Sequence, residues 1–443
     1  LPETPSFTIV GAGLAGALLA CYLGKAGRRV DLYEKRSDPR VRDADRGRSI
    51  NLALSVRGIE ALRQVGLAEA VLNQAIPMRG RMIHGPSGAL AFQPYGKDDS
   101  ESIHSVSRAG LNLALINAAA EHPTNRLFFQ HKCTGLDIGT GAVDLWDGAT
   151  QSASRLAAET VIGADGAYSV IRAVLQKQER FDYLQDYLSH GYKELHIPAG
   201  VGGASQMEKH ALHIWPRHSF MMIALPNLDG SFTCTLFWPY DGPNSFAAIH
   251  SDAEVRAFFD AQFPDVSGLI PDLAAQYRTN PVGPLLTVRC HPWHVGGRIA
   301  LLGDACHAVV PFLGQGMNAA FEDCTVLDDC LRRHGGQVEA AFAEYEARRK
   351  VHTDALAEMA VDNFLEMRDR VSSRLFLLKK KRDVLLHKLL PAWYLPLYTL
   401  VTFTTTPYAE ARQRALKQDR ILRVLTISVL LALTAAIYFL VKP

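Results

Sequence analysis

The sequence predicts an α/β chain in which a dinucleotide-binding domain is interrupted by an antiparallel sheet and followed by helices, the last of them apolar. Three observations carry that prediction. An apolar run, Phe7 to Val10, enters Gly11-Ala12-Gly13-Leu14-Ala15-Gly16 and then a helical pattern through Leu23. Between Leu212 and Pro239 the pattern changes to aromatic-rich strands broken by an Asn227 to Gly230 turn. From Ala340 onward the chain reads as helices, and Val424 to Val441 carries no charge.

The first element is a complete βαβ unit, because a second strand, Arg29 to Tyr33, follows the helix and ends at Glu34. Gly11 permits the tight turn, Gly13 lets backbone N–H groups approach a pyrophosphate at the helix N-terminus, and Gly16 allows close helix–strand packing. Glu34 is placed to accept hydrogen bonds from a ribose. This Rossmann-like unit alone leaves NAD and FAD both open. A helical stretch near Ile59 to Leu72 comes next, then a strand-like run at Arg81 to His84 and a Pro/Gly loop from Pro86 to Gly96. Another helix begins near Arg108.

A strand at Thr160 to Ile162 runs into GADGAYSVIR (Gly163 to Arg172), where Asp165 can orient ribose or phosphate neighbours. The inserted strands follow, with Trp215, Phe220, Phe232, Phe237 and Trp238 read as sheet packing. The chain then returns through Arg298 to Leu302 to Gly303-Asp304 and on to Pro311 through Ala319. There Asp304 can bind a ribityl hydroxyl, and the next helix N-terminus faces a phosphate or isoalloxazine oxygen. Three ligand-facing turns far apart in sequence meet at one long, bent cofactor, which favours FAD over NAD. No second GxGxxG with a following acid occurs, so NAD(P)H is expected to bind transiently.

Composition bounds the partners. The chain has 443 residues, 48% apolar and 21% charged, and 47 basic against 45 acidic side chains leave a net charge of +2. That balance excludes disorder and a nucleic-acid footprint over the whole surface, leaving small molecules or a membrane. Seven cysteines without a CxxC pair signal neither a disulfide framework nor a zinc site, and point to a reducing compartment. Leu1 to Pro5 reads as a processing remnant, with nothing there directing export. Val424 to Val441, flanked by Lys417, Arg420, Arg423 and Lys442, makes a helix of roughly 27 Å at about 1.5 Å per residue. It is expected to be a transmembrane anchor, with the catalytic part facing the cytoplasm. The basic run Lys379 to Arg382 reads as a solvated face beside lipid headgroups. The expected domains are 1–75, 101–175 and 285–335 for the cofactor, 76–100 and 176–284 for the substrate, 336–420 as helices completing the pocket, and 424–441 as the anchor.

The trio GAGLAG, GADGAYSVIR and LLGDACHAVVPFLGQGMN resembles the FAD-binding segments of the single-component FAD-dependent aromatic hydroxylases, whose fold is that of p-hydroxybenzoate hydroxylase. Further segments are similar to the members of that family that hydroxylate L-kynurenine: RGRSINLALSVRG (Arg46 to Gly58), SVSRAGLN (Ser105 to Asn112), LHIWPR (Leu212 to Arg217), NFLEMR (Asn363 to Arg368) and PLYTLVTF (Pro396 to Phe403). The likeness covers nearly the whole chain. Cys306 departs from it, standing where Ala is more usual, and places an oxidisable thiol near the flavin.

The resemblance implies bound FAD, NADPH as a transient co-substrate, O2 and L-kynurenine. The product is 3-hydroxykynurenine, formed through a flavin hydroperoxide, on the route of tryptophan catabolism toward NAD. No metal and no catalytic side chain beyond the flavin are implied, and in eukaryotic members the membrane is the mitochondrial outer one. The implied cofactor shell is Gly11, Gly13, Gly16, Glu34, Arg36, Ala53, Arg108, Asp304, Gly316, Met317 and Asn318, to which the second turn adds Asp165. Arg36 would reach the adenosine side and Arg108 the pyrophosphate.

Substrate contacts carry over to Arg81, Tyr95, Asn363, Glu366 and Tyr398. Arg81 can fork a carboxylate, and Asn363 and Glu366, three apart, share one helix face. The apolar wall is expected from Leu212, Ile223, Leu225, Phe237 and Phe312, while His307 reads as a packing or hydrogen-bonding residue.

Overall fold

The computed structural model describes residues 6–41, 51–96, 98, 101–366 and 374–441. Leu1 to Pro5, positions 46–50 of the Arg46 to Gly58 segment, the end of the NFLEMR segment and the side chains of Lys380 and Lys381 lie outside them.

Phe7–Val10 is buried at every position, as a strand covered on both faces must be, and it lies within a six-stranded sheet. The order is His294–Val295, Ile299–Leu301, Thr160–Gly163, Phe7–Val10, Val30–Tyr33 and Asn125–Phe128, parallel except for the first strand. The chain leaves Phe7–Val10 toward one side and later returns on the other, which opens a crevice at its carboxyl end. Helix Leu14–Lys25 is buried over most of its length, between the sheet, helix Arg108–Glu121 and helix Gly316–Arg333. Ser107 caps Arg108–Glu121 by accepting from Gly110 N, and Ser169 caps Val170–Leu175 by accepting from Arg172 N. The helix expected over Ile59 to Leu72 is two, Val56–Gln64 and Ala68–Leu72, because Gly66 adopts φ +80° and ends the first.

The second sheet has seven strands in the order Gly283–His291, Asp182–Ile197, Phe232–Pro239, Phe220–Pro226, Ala211–Arg217, Gly80–His84 and Leu90–Pro94. All pairs are antiparallel except Ala211–Arg217 with Gly80–His84, so a hairpin from early in the chain extends the inserted meander. Alternation divides its side chains between two cores. Trp215, Met222, Phe232 and Trp238 pack against Val255, Phe259 and Phe263 on one face. Ile214, Met221 and Phe237 pack on the other against Phe312, Leu356, Met359 and Phe364. This second face packs with the Pro311–Leu313 turn and helix Val338–Leu365.

The C-terminal part is helical, as expected: Val338–Leu365, Arg374–Leu389, Leu397–Thr402 and Tyr408–Val441. Among the described residues, however, no helix is long and apolar enough to cross a membrane. This overturns the expected transmembrane anchor over 424–441 and the localisation that rested on it. The segment is the distal part of one helix whose first turns carry Glu410, Arg412, Arg414, Lys417 and Asp419. Arg412 pairs there with Glu358 of helix Val338–Leu365. Of the basic run, Lys379 meets Asp419 at 2.9 Å and Arg382 meets Asp383 at 2.7 Å, both on an exposed face.

Candidate active site

The three glycine-containing turns touch one another. Gly11 has φ +105°, and a Cβ there would stand 2.5 Å from the Ala164 carbonyl oxygen of the second turn. Gly303 has φ +62°, and its Cβ would meet Ala15 of the first turn and Ala320 at 3.3 and 3.2 Å. Gly16 packs its α-carbon against the Gly11 carbonyl. Gly13, by contrast, faces open space, so the free N–H groups that start Leu14–Lys25 border a cleft.

Glu34, at the end of Val30–Tyr33, accepts from Ala12 N through Oε2 at 2.9 Å and from Arg36 Nε through Oε1 at 2.8 Å. Burial works to raise its carboxyl, but the bonds to Arg36 outweigh that and hold it below the usual range. Asp165 accepts from Val170 N at 2.7 Å through one oxygen, while the other, Oδ1, is buried without a partner among the described residues. Burial raises this carboxyl. Asp304 is exposed at the start of the short helix Asp304–His307, and Arg108 is exposed at the start of its own helix.

Asn318 donates to Ala53 O and Gly314 O at 2.9 Å each and accepts from Ser55 N at 2.9 Å, fixing the Asn51–Leu54 strand to the third turn. Gly314, φ +64°, lies against the Ala53 methyl, while Gly316 and the half-buried Met317 begin the following helix. A cradle that a Cβ would fill, a helix start facing open space, an orphaned carboxylate oxygen and an exposed Asp304 fit an extended flavin dinucleotide.

Two residues that brace this cradle escaped the sequence reading. Arg172 is buried and donates to Ala305 O at 2.8 Å and to Ala167 O at 2.6 Å, tying the third turn to the second. Asn112 donates to Ala12 O at 3.0 Å, tying helix Arg108–Glu121 to the first. Both sit inside recognised segments, and a buried arginine closing a glycine-rich motif was the available signal. His307 is locked in a buried charge network, as expected of a packing residue: Nε2 lies 2.5 Å from Asp323, which Arg349 also contacts at 2.6 Å. Arg349 and Arg57 then share Glu322, at 2.6 and 2.7 Å. Cys306 is buried, and burial pushes its thiol far up, which makes it a poor nucleophile.

Beyond Ala53 the lining changes from backbone to side chains. The Arg81 guanidinium carbon lies 4.6 Å from the Tyr398 ring centroid and 5.5 Å from that of Tyr95, and the two tyrosines stack at 5.3 Å. Arg81 Nε and the Tyr95 hydroxyl are buried without hydrogen-bond partners among the described residues. Burial drives the Tyr95 phenol well above its usual range, so it stays a neutral donor. Leu212, Ile223 and Leu225 cluster with Tyr95, Ala53 and Phe403. Leu212 and Ile223 also reach the cluster of Phe237, Phe312 and Phe364. Phe312 stacks on Phe364 at 4.3 Å, and Asn363 donates to Phe312 O at 2.9 Å. Asn363 therefore stands at the Phe312 side of the pocket, whereas Glu366 follows at the end of its helix, half-buried.

The chain matches the family described as "FAD binding domain" over residues 3–360. It is 51% identical over 414 residues to kynurenine 3-monooxygenase of Myxococcus xanthus, covering 94% of this chain and 89% of that one. To kynurenine 3-monooxygenase of Dictyostelium discoideum it is 45% identical, covering 94% and 92%. Among solved structures it resembles 2-methyl-3-hydroxypyridine-5-carboxylic acid oxygenase, with TM-score 0.68 and 21% identity over 85% of this chain and 95% of that one. It also resembles PqsL of P. aeruginosa, solved with 2-aminobenzoylacetate, with TM-score 0.64 and 21% identity over 83% and 97%. At those identities the likeness is one of fold. The touching glycine turns and the sequence identity together place the chain in the kynurenine 3-monooxygenase family of FAD-dependent hydroxylases.

Proposed function

We propose that the chain hydroxylates L-kynurenine at ring position 3, converting L-kynurenine, NADPH, a proton and O2 into 3-hydroxykynurenine, NADP+ and water. One observation carries the substrate assignment: Arg81, lying over the rings of Tyr398 and Tyr95, keeps a buried N–H without a hydrogen-bond partner among the described residues. A guanidinium so placed is matched by the carboxylate of an amino acid.

In this reading residues 1–75, 101–175 and 285–335 hold the cofactor, while 76–100 and 176–284 carry most of the substrate wall. Glu34 and Asp304 take ribose and ribityl hydroxyls, Arg36 the adenosine side, Arg108 the pyrophosphate, and the helix starts at Gly13 and Gly316 the phosphate and ring oxygens. FAD, when bound, supplies oxygen activation by NADPH-derived electrons. Arg81 grips the substrate carboxylate, Tyr95 and Tyr398 donate beside it, and Asn363 and Glu366 orient the amino-acid end. Leu212, Ile223, Leu225, Phe237 and Phe312 exclude water and aim the ring toward Ala53.

The ring amino group already activates the carbon ortho to it, so no side-chain base is required, consistent with His307 being engaged by Asp323. With FAD-loaded protein, NADPH oxidation is expected to rise strongly on addition of L-kynurenine. An NADPH oxidation rate indifferent to L-kynurenine would refute the assignment.

A further inference from the structure

Arg57 lies in the first turn of helix Val56–Gln64, just after the Asn51–Leu54 strand that carries Ala53, yet most of its partners come from the far end of the chain. Its side chain is fully buried. Nη1 donates to Glu322 Oε1 at 2.7 Å and to the Thr405 carbonyl at 3.4 Å, and Nε donates to the Val401 carbonyl at 3.4 Å. Nη2 donates to the Thr406 carbonyl. The guanidinium carbon stands 4.1 Å from the Tyr408 ring centroid.

These carbonyls need an outside donor. Val401 is in the last turn of helix Leu397–Thr402, where backbone oxygens find no partner within the helix, and Thr405 and Thr406 lie in the link to helix Tyr408–Val441. A planar guanidinium donates in several fixed directions at once, so one side chain can fasten three oxygens of one segment. Glu322 gives that side chain its footing. It belongs to helix Gly316–Arg333, which begins at the third glycine turn, and its Oε2 is held by Arg349 at 2.6 Å. Tyr408 donates to Gln315 Oε1 at 3.1 Å, directly ahead of the same helix. Residues 397–408 are thereby tied to the cofactor cradle. They are also the residues that bring the Tyr398 ring to Arg81 and set Phe403 6.1 Å from both Tyr95 and Tyr398, centroid to centroid.

We propose that Arg57 is the positioning residue that sets the substrate pocket on the cofactor cradle: by holding the Val401, Thr405 and Thr406 carbonyls beside Glu322 it fixes Tyr398 against Arg81, and so the direction in which Arg81 meets the substrate. The fastening stands on the contacts alone, whereas its effect on the substrate rests on the proposed function. Arg57 acts on the substrate through Tyr398 and Phe403, not by touching it.

The test uses the FAD-loaded full chain and Arg57→Lys, whose ammonium can keep Glu322 but lacks the fork that reaches three carbonyls. Amide hydrogen exchange in 397–408 is expected to quicken about tenfold, with that of Leu14–Lys25 unchanged. Unchanged exchange at 397–408 would overturn the fastening. KM for L-kynurenine is expected to rise about tenfold, with kcat and FAD affinity within about twofold. In that background the effect of Tyr398→Phe on KM should shrink below about twofold, because the phenol is no longer held in place. An unchanged KM, a parallel loss of FAD affinity, or a Tyr398→Phe effect of full size would each overturn the positioning role. Should Arg57→Lys fail to fold, Tyr408→Leu removes the ring against which the guanidinium lies and leaves the pair with Glu322. It is expected to raise exchange and KM about fivefold, and no change in either would overturn the proposal. Should the wild-type chain not turn over L-kynurenine, the reading of the pocket fails, while the exchange result still decides the fastening.

Discussion

The cofactor cradle and the proposed substrate pocket meet at Ala53 but are built from different materials. The cradle is made of backbone: Gly11 lies against Ala164, Gly303 against Ala15 and Gly314 against Ala53, and the bonds by which Arg172, Asn112 and Asn318 brace the turns end on main-chain groups. The proposed pocket is made of side chains, a guanidinium beside two stacked phenol rings and a wall of aliphatic and aromatic groups. The difference teaches where each region is vulnerable. Added volume ruins the cradle, whereas the pocket tolerates changes in volume better than the loss of a charge or a hydroxyl.

The largest effect is expected at Gly16, where any side chain collides with the Gly11 carbonyl. Gly16→Val should leave protein without flavin colour, an FAD affinity loss of about 100-fold or more, roughly 3 kcal/mol. Normal FAD content in that variant would break the backbone account of the cradle.

Next is His213 of the Ala211–Arg217 strand, held neutral by burial with a folded pKa of about 4. The unfolded chain, with an imidazole near pH 6.5, binds the proton more readily. Stability should therefore be complete above about pH 6.5 and fall as pH drops toward 4, by about 3 kcal/mol. Urea unfolding at pH 7 and pH 4.5, compared with His213→Asn, isolates this share; identical pH slopes in the two proteins would contradict it.

Arg81→Ala should weaken L-kynurenine binding by about 1.5–3 kcal/mol, a KM increase of roughly 10- to 100-fold, and leave FAD occupancy intact. Arg81→Lys should recover only part of this, because an ammonium lacks the planar fork. Simultaneous loss of flavin would blur the boundary drawn between the two regions. The smallest change is Tyr398→Phe: about 1 kcal/mol in KM, since the ring that stacks on Arg81 stays and only the hydroxyl goes.

How much of this is legible in the sequence follows from the same contrast. A glycine turn is a local object, so the three turns and the acids Glu34, Asp165 and Asp304 can be read from short segments. Their mutual contact follows from parallel strands ending side by side. Arg172 and Asn112 are not legible as braces, because their partners are carbonyls on distant turns that carry no side-chain signal. The pocket is non-local: Tyr95 and Tyr398 stack although the strand and helix that bring them come from opposite ends of the chain, so their pairing was reachable only through resemblance to a family.

The joining of Gly80–His84 to the inserted meander was likewise invisible, because a parallel pair leaves no hairpin signature. The apolar run at 424–441 misled for the opposite reason. Hydropathy is local and ignores that the segment prolongs a charged helix docked on Val338–Leu365.

The most direct test of the central claim is oxygen transfer itself. FAD-loaded protein given NADPH, L-kynurenine and 18O2 should yield 3-hydroxykynurenine carrying one 18O on the ring. Full flavin occupancy with no labelled hydroxylated product would contradict the account.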